Sequence, residues 1–258
     1  MRRIYENPAK TSENRLPQRP YYIPEGKSEY RLLNGSWRFA FFARDIDVPE
    51  NITQWDTIPV PSCWQLQGYE HPNYSNINYP YPCDPPYVPD ENPCGVYERE
   101  FRLEQVWGRA YFVLEGVSSC AFVYVNGGYV GFTQGSHLQA EFDITDYVKP
   151  GGNTLRVKVL KWCCGSYLED QDSFRFNGIF RDCYILQRPK DHIIDVNVTT
   201  ENNHIHVRTD HPADMTVFDR DGKCLGAKTA SMDAFFEIDS PILWNAEKPY
   251  LYTVKLER

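Results

Sequence analysis

Ala121-Phe-Val-Tyr-Val-Asn-Gly-Gly-Tyr-Val-Gly-Phe-Thr133 decides the fold. Two runs of aliphatic and aromatic residues flank Asn126-Gly127. Asn-Gly accepts the positive φ that a tight hairpin turn requires, so the two runs read as adjacent antiparallel strands. The same β character extends outward on both sides. Residues 96–103 alternate apolar and polar, 109–115 form a core run, and 141–146 and 155–160 add two strands joined through Pro150-Gly-Gly152. Residues 183–187 close the unit. Upstream, Trp37, Phe39 and Phe41 alternate after the turn signal Asn34-Gly35, and 56–65 is a strand end broken by Pro59 and Pro61. No amphipathic helix of ordinary length appears. About eight strands with Pro- and Gly-rich crossovers predict an all-β sandwich of jelly-roll type.

The chain has 258 residues, more than one typical domain, so two are expected. Residues 1–30 carry Pro8, Pro17, Pro20 and Pro24 among polar residues and read as an extended arm lying on something else. The jelly roll is expected over 31–188. Past the short linker Arg188-Pro-Lys-Asp191, strands at 193–199, 204–208, 215–218, 235–238 and 250–256 come at shorter intervals. They predict a small immunoglobulin-like β-sandwich over 189–258, without the Cys…Trp…Cys pattern of disulfide-bonded members. Trp244, in a corner before the last strand, is expected in its core.

Composition excludes several classes. A formal net charge of −8 argues against nucleic acid, because phosphate backbones select basic surfaces. No run of about 18 apolar residues is present, so no membrane span is expected. Met1-Arg-Arg-Ile-Tyr-Glu lacks the apolar stretch of a secretory signal. The 8 cysteines are therefore expected as reduced thiols in a cytoplasmic protein, and without a CxxC pair they do not suggest zinc. His204 and His206 share one strand face, a weak metal signal. No Gly-rich phosphate loop and no G-x-S-x-G elbow occur.

Two irregular stretches carry the chemistry. The first, 68–95, sets Asn73, Tyr74, Asn76, Asn78, Tyr79 and Tyr81 in a proline framework. Amides bond sugar hydroxyls and rings cover apolar C–H faces, so the stretch suits sugar recognition. Equally, those Asn side chains could satisfy their own loop as Asx-turns. The second is Gly165-Ser-Tyr-Leu-Glu-Asp-Gln-Asp-Ser-Phe-Arg-Phe-Asn-Gly-Ile-Phe-Arg-Asp182. It packs Glu169, Asp170 and Asp172 beside Arg175 and Arg181. A binding loop and an Arg–carboxylate network pinning a loop both account for it. A catalytic carboxylate pair is not favoured, since salt-bridged or ligating acids are simpler beside so much arginine.

Taken in order, several pieces resemble the N-terminal part of a family 2 glycoside hydrolase of the large β-galactosidase branch. They are Leu33-Asn-Gly-Ser-Trp-Arg-Phe39, Val60-Pro-Ser-Cys-Trp-Gln65, Tyr74-Ser-Asn-Ile-Asn-Tyr-Pro80, Pro85-Pro-Tyr-Val-Pro89, Glu91-Asn-Pro93, Val125-Asn-Gly127, Gly165-Ser-Tyr-Leu-Glu-Asp-Gln-Asp172, Gly178-Ile-Phe-Arg-Asp182 and Leu243-Trp-Asn-Ala-Glu-Lys-Pro-Tyr-Leu-Tyr252. β-Glucuronidases and β-mannosidases share the architecture, but the Asp172 and Asn76 loops look like the β-galactosidase branch.

The resemblance implies a galactose-binding-like jelly roll, then an immunoglobulin-like domain, then a catalytic TIM barrel that nothing in these residues matches. The chain is expected to be a non-catalytic portion of a longer enzyme acting on galactosides such as lactose, with no catalytic residue of its own. The resemblance places Asn76 and Asp172 against the galactosyl unit and makes Asp172 a sodium ligand, the other ligands coming from the barrel. Carboxylate oxygen suits a hard cation. Magnesium is implied only for the full-length enzyme. Glu169 and Asp170 are expected to hold the loop, through Arg175 or Arg181. The arm is implied in subunit contacts of a homo-oligomer. A free-standing carbohydrate-binding module and a purely structural scaffold are the alternatives.

Overall fold

The computed structural model describes residues 3–18, 28–74, 78–169 and 172–258. The chain forms two compact units, Met1–Pro189 and Lys190–Arg258. In the first, β1 (Ser12–Glu13), β2 (Glu29–Leu32), β3 (Gly35–Phe42), β4 (Asp56–Val60) and β5 (Asn73–Tyr74) precede β6 (Cys94–Leu103), β7 (Arg109–Leu114) and β8 (Val117–Ser118). The hairpin of β9 (Cys120–Val125) and β10 (Gly128–Gln134) follows, then β11 (Ala140–Asp143), β12 (Gly151–Leu160), β13 (Phe174–Arg175), β14 (Gly178–Ile179) and β15 (Cys183–Arg188).

Two antiparallel sheets face each other, one ordered β1-β10-β9-β12-β6-β3-β4 and the other β11-β7-β15-β2. The alternation seen in the sequence is what builds this sandwich. Leu155, Val157 and Val159 of β12 and Ala121, Val123 and Val125 of β9 meet Ala110, Phe112 and Leu114 of β7 in one apolar cluster. On the opposite face of the larger sheet, Arg156 and Arg38 both pair with Glu98, whose side chain is nearly buried, at 2.6 and 2.5 Å. Pro59 is accommodated because β4 is an edge strand, where a missing N–H leaves no ladder bond unmade.

The arm lies on this sandwich. Ser12 and Glu13 pair with Thr133 and Phe132, adding an edge to the larger sheet. Arg15 Nη1 then donates to Thr133 Oγ1 at 3.0 Å, and the Leu16 N–H to Glu141 O at 2.9 Å. Backbone approaches backbone so closely here that a Cβ at Gly131 would sit 2.4 Å from the Glu13 carbonyl oxygen.

In the second unit, β16 (Val196–Glu201), β17 (His204–Phe218), β18 (Cys224–Glu237) and β19 (Thr253–Glu257) are hydrogen-bonded together. The strands expected separately at 204–208 and 215–218 are one long strand. Its register against β18 shifts between Arg208 and Ala213, again between Ala213 and Met215, and once more between Val217 and Phe218. Bulges bend a strand, and residues from both halves of β17 enter one core. Ile205 and Val207 come from one half, Met215 and Val217 from the other, and Phe236 and Ile238 complete the cluster.

Trp244 is a correction. It is 61% exposed, as are its neighbours Ile242 and Leu243 in large part, in a segment without strand pairing. The core that was to receive it is already filled by Phe236, Ile238, Tyr252, Val254 and Leu256. His206 stacks on Phe235 with ring centroids 3.9 Å apart and meets Asp233 Oδ1 at 2.8 Å. No helix among the described residues is long and apolar enough to cross a membrane.

Candidate functional site

The two irregular stretches meet at one end of the jelly roll. β12 ends at Leu160, and the chain turns through a short 3-10 segment, Cys164–Tyr167. The turn is fixed from both sides. The Cys163 N–H donates to Ser166 Oγ at 3.1 Å, and the Gly165 N–H donates to Gln134 Oε1 on β10 at 3.1 Å.

Glu169 follows and holds the loop by hydrogen bonds, as expected, though to a serine and not to Arg175 or Arg181. Its carboxylate accepts the Ser136 N–H at 2.7 Å and the Ser136 hydroxyl at 2.6 Å. Arg175 instead donates to the Ser166 carbonyl at 2.7 Å, with its guanidinium over the Trp162 ring at 5.7 Å. Arg181 donates to the His137 carbonyl at 3.1 Å. Each arginine thus holds a backbone carbonyl, and Ser136 donates twice to the Glu169 carboxylate. Asp170 lies outside the described residues.

Past that point the loop returns as β13, pairing Phe174 with Tyr74 and Arg175 with Asn73 on β5. This two-residue ribbon joins the stretches that the sequence left separate. The Tyr74 hydroxyl donates to Asp172 Oδ1. Asp172 is exposed to solvent beside it. Asn76 lies outside the described residues; the described chain before it ends at Tyr74.

Of the other candidates in the proline-rich stretch, Tyr79 donates to the Tyr167 carbonyl at 2.9 Å. Tyr81 packs on Trp162 with ring centroids 4.9 Å apart. Burial raises the Tyr81 hydroxyl pKa, keeping it neutral. These two rings hold the loop and are not presented on its surface.

Beneath the ribbon is a buried polar network that sequence reasoning missed. Gln65 Nε2 donates to Asn177 Oδ1 at 2.8 Å, and the Asn177 N–H donates back to Gln65 Oε1 at 2.9 Å. Lys161, only 4% exposed, donates to Glu70 Oε1, while Trp64 Nε1 donates to Glu70 Oε2 at 3.2 Å. The next residue, Gly178, has φ +129°, and a Cβ there would lie 2.7 Å from the Tyr97 hydroxyl oxygen and 2.8 Å from the Ser62 carbonyl oxygen. Only glycine fits that passage. Lys161 follows directly on the alternating run of β12, a position at which a solvated lysine is the ordinary expectation. Its burial has no local signal.

Asp172 offers the oxygen donor that a hard cation takes. No group of three or more His, Cys, Asp or Glu side chains able to hold a metal occurs among the described residues. With Glu169 committed to Ser136, the described side chains offer one carboxylate to a cation and not a closed set of ligands.

A two-unit all-β chain with a loop-built polar site at one end of its jelly roll defines the class: a jelly-roll sandwich followed by an immunoglobulin-like one. The model of "Glycosyl hydrolases family 2, sugar binding domain" matches residues 30–189, and that of "Glycosyl hydrolases family 2" matches 181–258. The chain belongs to glycosyl hydrolase family 2. It is 39% identical to a β-galactosidase of Actinobacillus pleuropneumoniae, over 98% of this chain and 28% of that protein. It is 45% identical to one of Pectobacterium atrosepticum, over 77% of this chain and 21% of that protein. The chain thus spans well under a third of these relatives' length.

Solved structures of β-glucuronidases share the fold. One from an uncultured Clostridium species superposes with a TM-score of 0.69 at 19% identity, over 93% of this chain and 44% of that one. One from Faecalibacterium prausnitzii gives 0.70 at 18%, over 91% and 45%.

Proposed function

We propose that this chain is the N-terminal, non-catalytic part of a β-galactosidase, which hydrolyses terminal β-D-galactose residues in galactosides such as lactose. The single observation that carries the reading is the β5–β13 ribbon, which sets the Asp172 carboxylate beside the strand leading to Asn76. The identity of 39% and 45% to β-galactosidases supports galactose over glucuronic acid, because the β-glucuronidase structures share the fold at only 18–19%.

In this reading Asn76 and Asp172 contact the galactosyl unit, and Asp172 is one ligand of a sodium ion whose remaining ligands come from a catalytic barrel outside this chain. Magnesium belongs to that barrel. The 258 residues alone do not turn over substrate and hold sugar weakly, since half a pocket bears the full cost of immobilising a ligand. The whole enzyme is a cytoplasmic homo-oligomer. All 8 cysteines are free thiols, which supports a reducing compartment.

Calorimetric titration of the chain with galactose, in sodium and in potassium buffer, tests this. No resolvable heat, together with no hydrolysis of a chromogenic galactoside, is the expected result. Saturable binding that is stronger in sodium and lost in Asp172→Ala would replace this reading with a free-standing binding module. Destabilisation by Asp172→Asn with no sugar effect in any format would leave only a scaffold.

A further inference from the structure

The core of the second unit is filled from within yet left uncovered along one side. A strand has two edges, and β18 takes one edge of β17 along both of its halves. β16 and β19 therefore share the other edge, β16 beside His204–Thr209 and β19 beside Asp214–Phe218. Among the described residues, neither β16 nor β19 has a strand on its own outer edge. Burial falls off toward that side. Met215 and Val217 are fully buried, while Leu256 and Val254, their partners on β19, are only partly so. Val207 is fully buried, and its partner on β16, Val198, is 46% exposed. Val254 and Leu256 nevertheless hold core positions: they pack on the apolar cluster, and the alternate residues Thr253, Lys255 and Glu257 are exposed. The strand count agrees. β17 and β18 contribute two segments each, β16 and β19 one each, and an immunoglobulin sandwich uses about seven.

We propose that the outer edge of β19 receives one further antiparallel strand, supplied by the residues that follow Arg258 in the longer protein, and that its apolar side chains cover Val254 and Leu256. The edge is fit for pairing. Its register with β17 is unbroken, and Thr253-Val-Lys-Leu-Glu257 holds neither a proline nor a bulge to blunt it. β19 ends one residue before Arg258, so a tight turn suffices to bring the chain back along it, and consecutive strands are usually neighbours. The alignment with the Actinobacillus pleuropneumoniae protein takes in only 28% of that protein, which leaves ample chain for the purpose. A second copy fits less well. The two-fold pairing that sets Val254 opposite Leu256 sets Lys255 opposite Lys255, and like charges directly opposite destabilise a ladder. The inference takes from the reading above only that the chain is part of a longer one, and nothing of the sugar or the sodium.

Hydrogen exchange followed by mass spectrometry compares the 258-residue chain with the same chain extended past Arg258 by about 25 residues, ample for a turn and a strand. The extension is copied from the A. pleuropneumoniae relative, starting where the aligned region ends. In the unextended chain the outward amides of Thr253–Glu257 should exchange as those of an edge strand do. In the extended chain they should slow about tenfold or more, with β17 protected in both. The same residues added in excess as a synthetic peptide should also slow them, and a scrambled peptide should not; this arm decides if the extended chain is insoluble.

Unchanged exchange of β19 in both arms would overturn the proposal. Protection of β19 already present in the dilute unextended chain would overturn it too, because the chain would then cover this edge itself. Protection that appears only as the unextended chain is concentrated would assign the edge to a second copy instead. Galactose enters neither arm, so the reading of the site at Asp172 stands or falls separately.

Discussion

Gln65 and Asn177 hold each other by two reciprocal hydrogen bonds, 2.8 and 2.9 Å long, across 112 residues of sequence. One lies on the stretch leading to Tyr74, the other at the end of the loop that carries Asp172. The pair is buried, so neither partner can turn to water in exchange. It ties the two loops together, as the β5–β13 ribbon does.

Asn177→Ala leaves the Gln65 amide without its main partner in a buried setting. The expected cost is about 1–3 kcal/mol. For a unit of this size that is a fall in melting temperature of roughly 2–4 °C per kcal/mol. Thermal unfolding followed by near-ultraviolet circular dichroism checks it. An unchanged melting temperature would show that the amide lock contributes nothing.

Lys161 and Glu70 make an asymmetric prediction. Removing the acid in Glu70→Ala strands a buried ammonium and should cost about 3 kcal/mol or more. Lys161→Met removes the charge, keeps the chain's volume and leaves an apolar side chain against Trp162, where the ammonium now sits 5.1 Å from the ring. It should cost clearly less. Urea unfolding of the two variants decides the order, and equal losses would contradict a desolvated pair.

The arm is testable at Gly131. Gly131→Ala drives a Cβ into the Glu13 carbonyl oxygen and the Phe142 ring, and main chain cannot swing aside as a side chain can. Overpacking of this kind costs about 1–3 kcal/mol, here relieved by lifting β1 off its edge. Trypsin cleavage after Lys10 and Arg15 should accelerate while the rest of the sandwich stays resistant. Cleavage at the native rate would show that the arm tolerates the extra carbon.

The thiols carry a pH dependence. Cys83 and Cys224 are exposed, and the other six are partly or fully buried. Two should react quickly with a disulfide reagent at neutral pH, and the rest only after unfolding. Burial pushes Cys63 up to about 11 and Cys94 up to about 12. A raised folded-state pKa stabilises fully below the unfolded thiol value of about 8.5 and loses that contribution as pH climbs through the folded value. Melting temperature should therefore decline from about pH 8.5 upward. A flat profile to pH 11 would contradict the burial of Cys63 and Cys94.

Alternation and turn chemistry made the sandwich legible from sequence. Leu155, Val157 and Val159 are buried and Arg156 and Lys158 are not, because a strand's side chains alternate whatever surrounds it. Asn126-Gly127 set its hairpin for an equally local reason. The site loops were legible as chemistry, since Asp172 and the Asn–Tyr stretch stand out by residue type. Their meeting was not, because nothing local relates Tyr74 to Phe174 or Gln65 to Asn177. Trp244 failed for the same cause: a tryptophan's burial depends on whether other side chains have already filled the core. The long β17 escaped because bulges at Arg208–Met215 keep pairing alive where the apolar pattern lapses. What depends on one residue and its nearest neighbours along the chain was determined by the sequence alone. The pairing of Glu169 with Ser136, the burial of Lys161 and the outward rings of Tyr74 and Phe174 were decided by tertiary structure, because each depends on which distant segment arrives alongside.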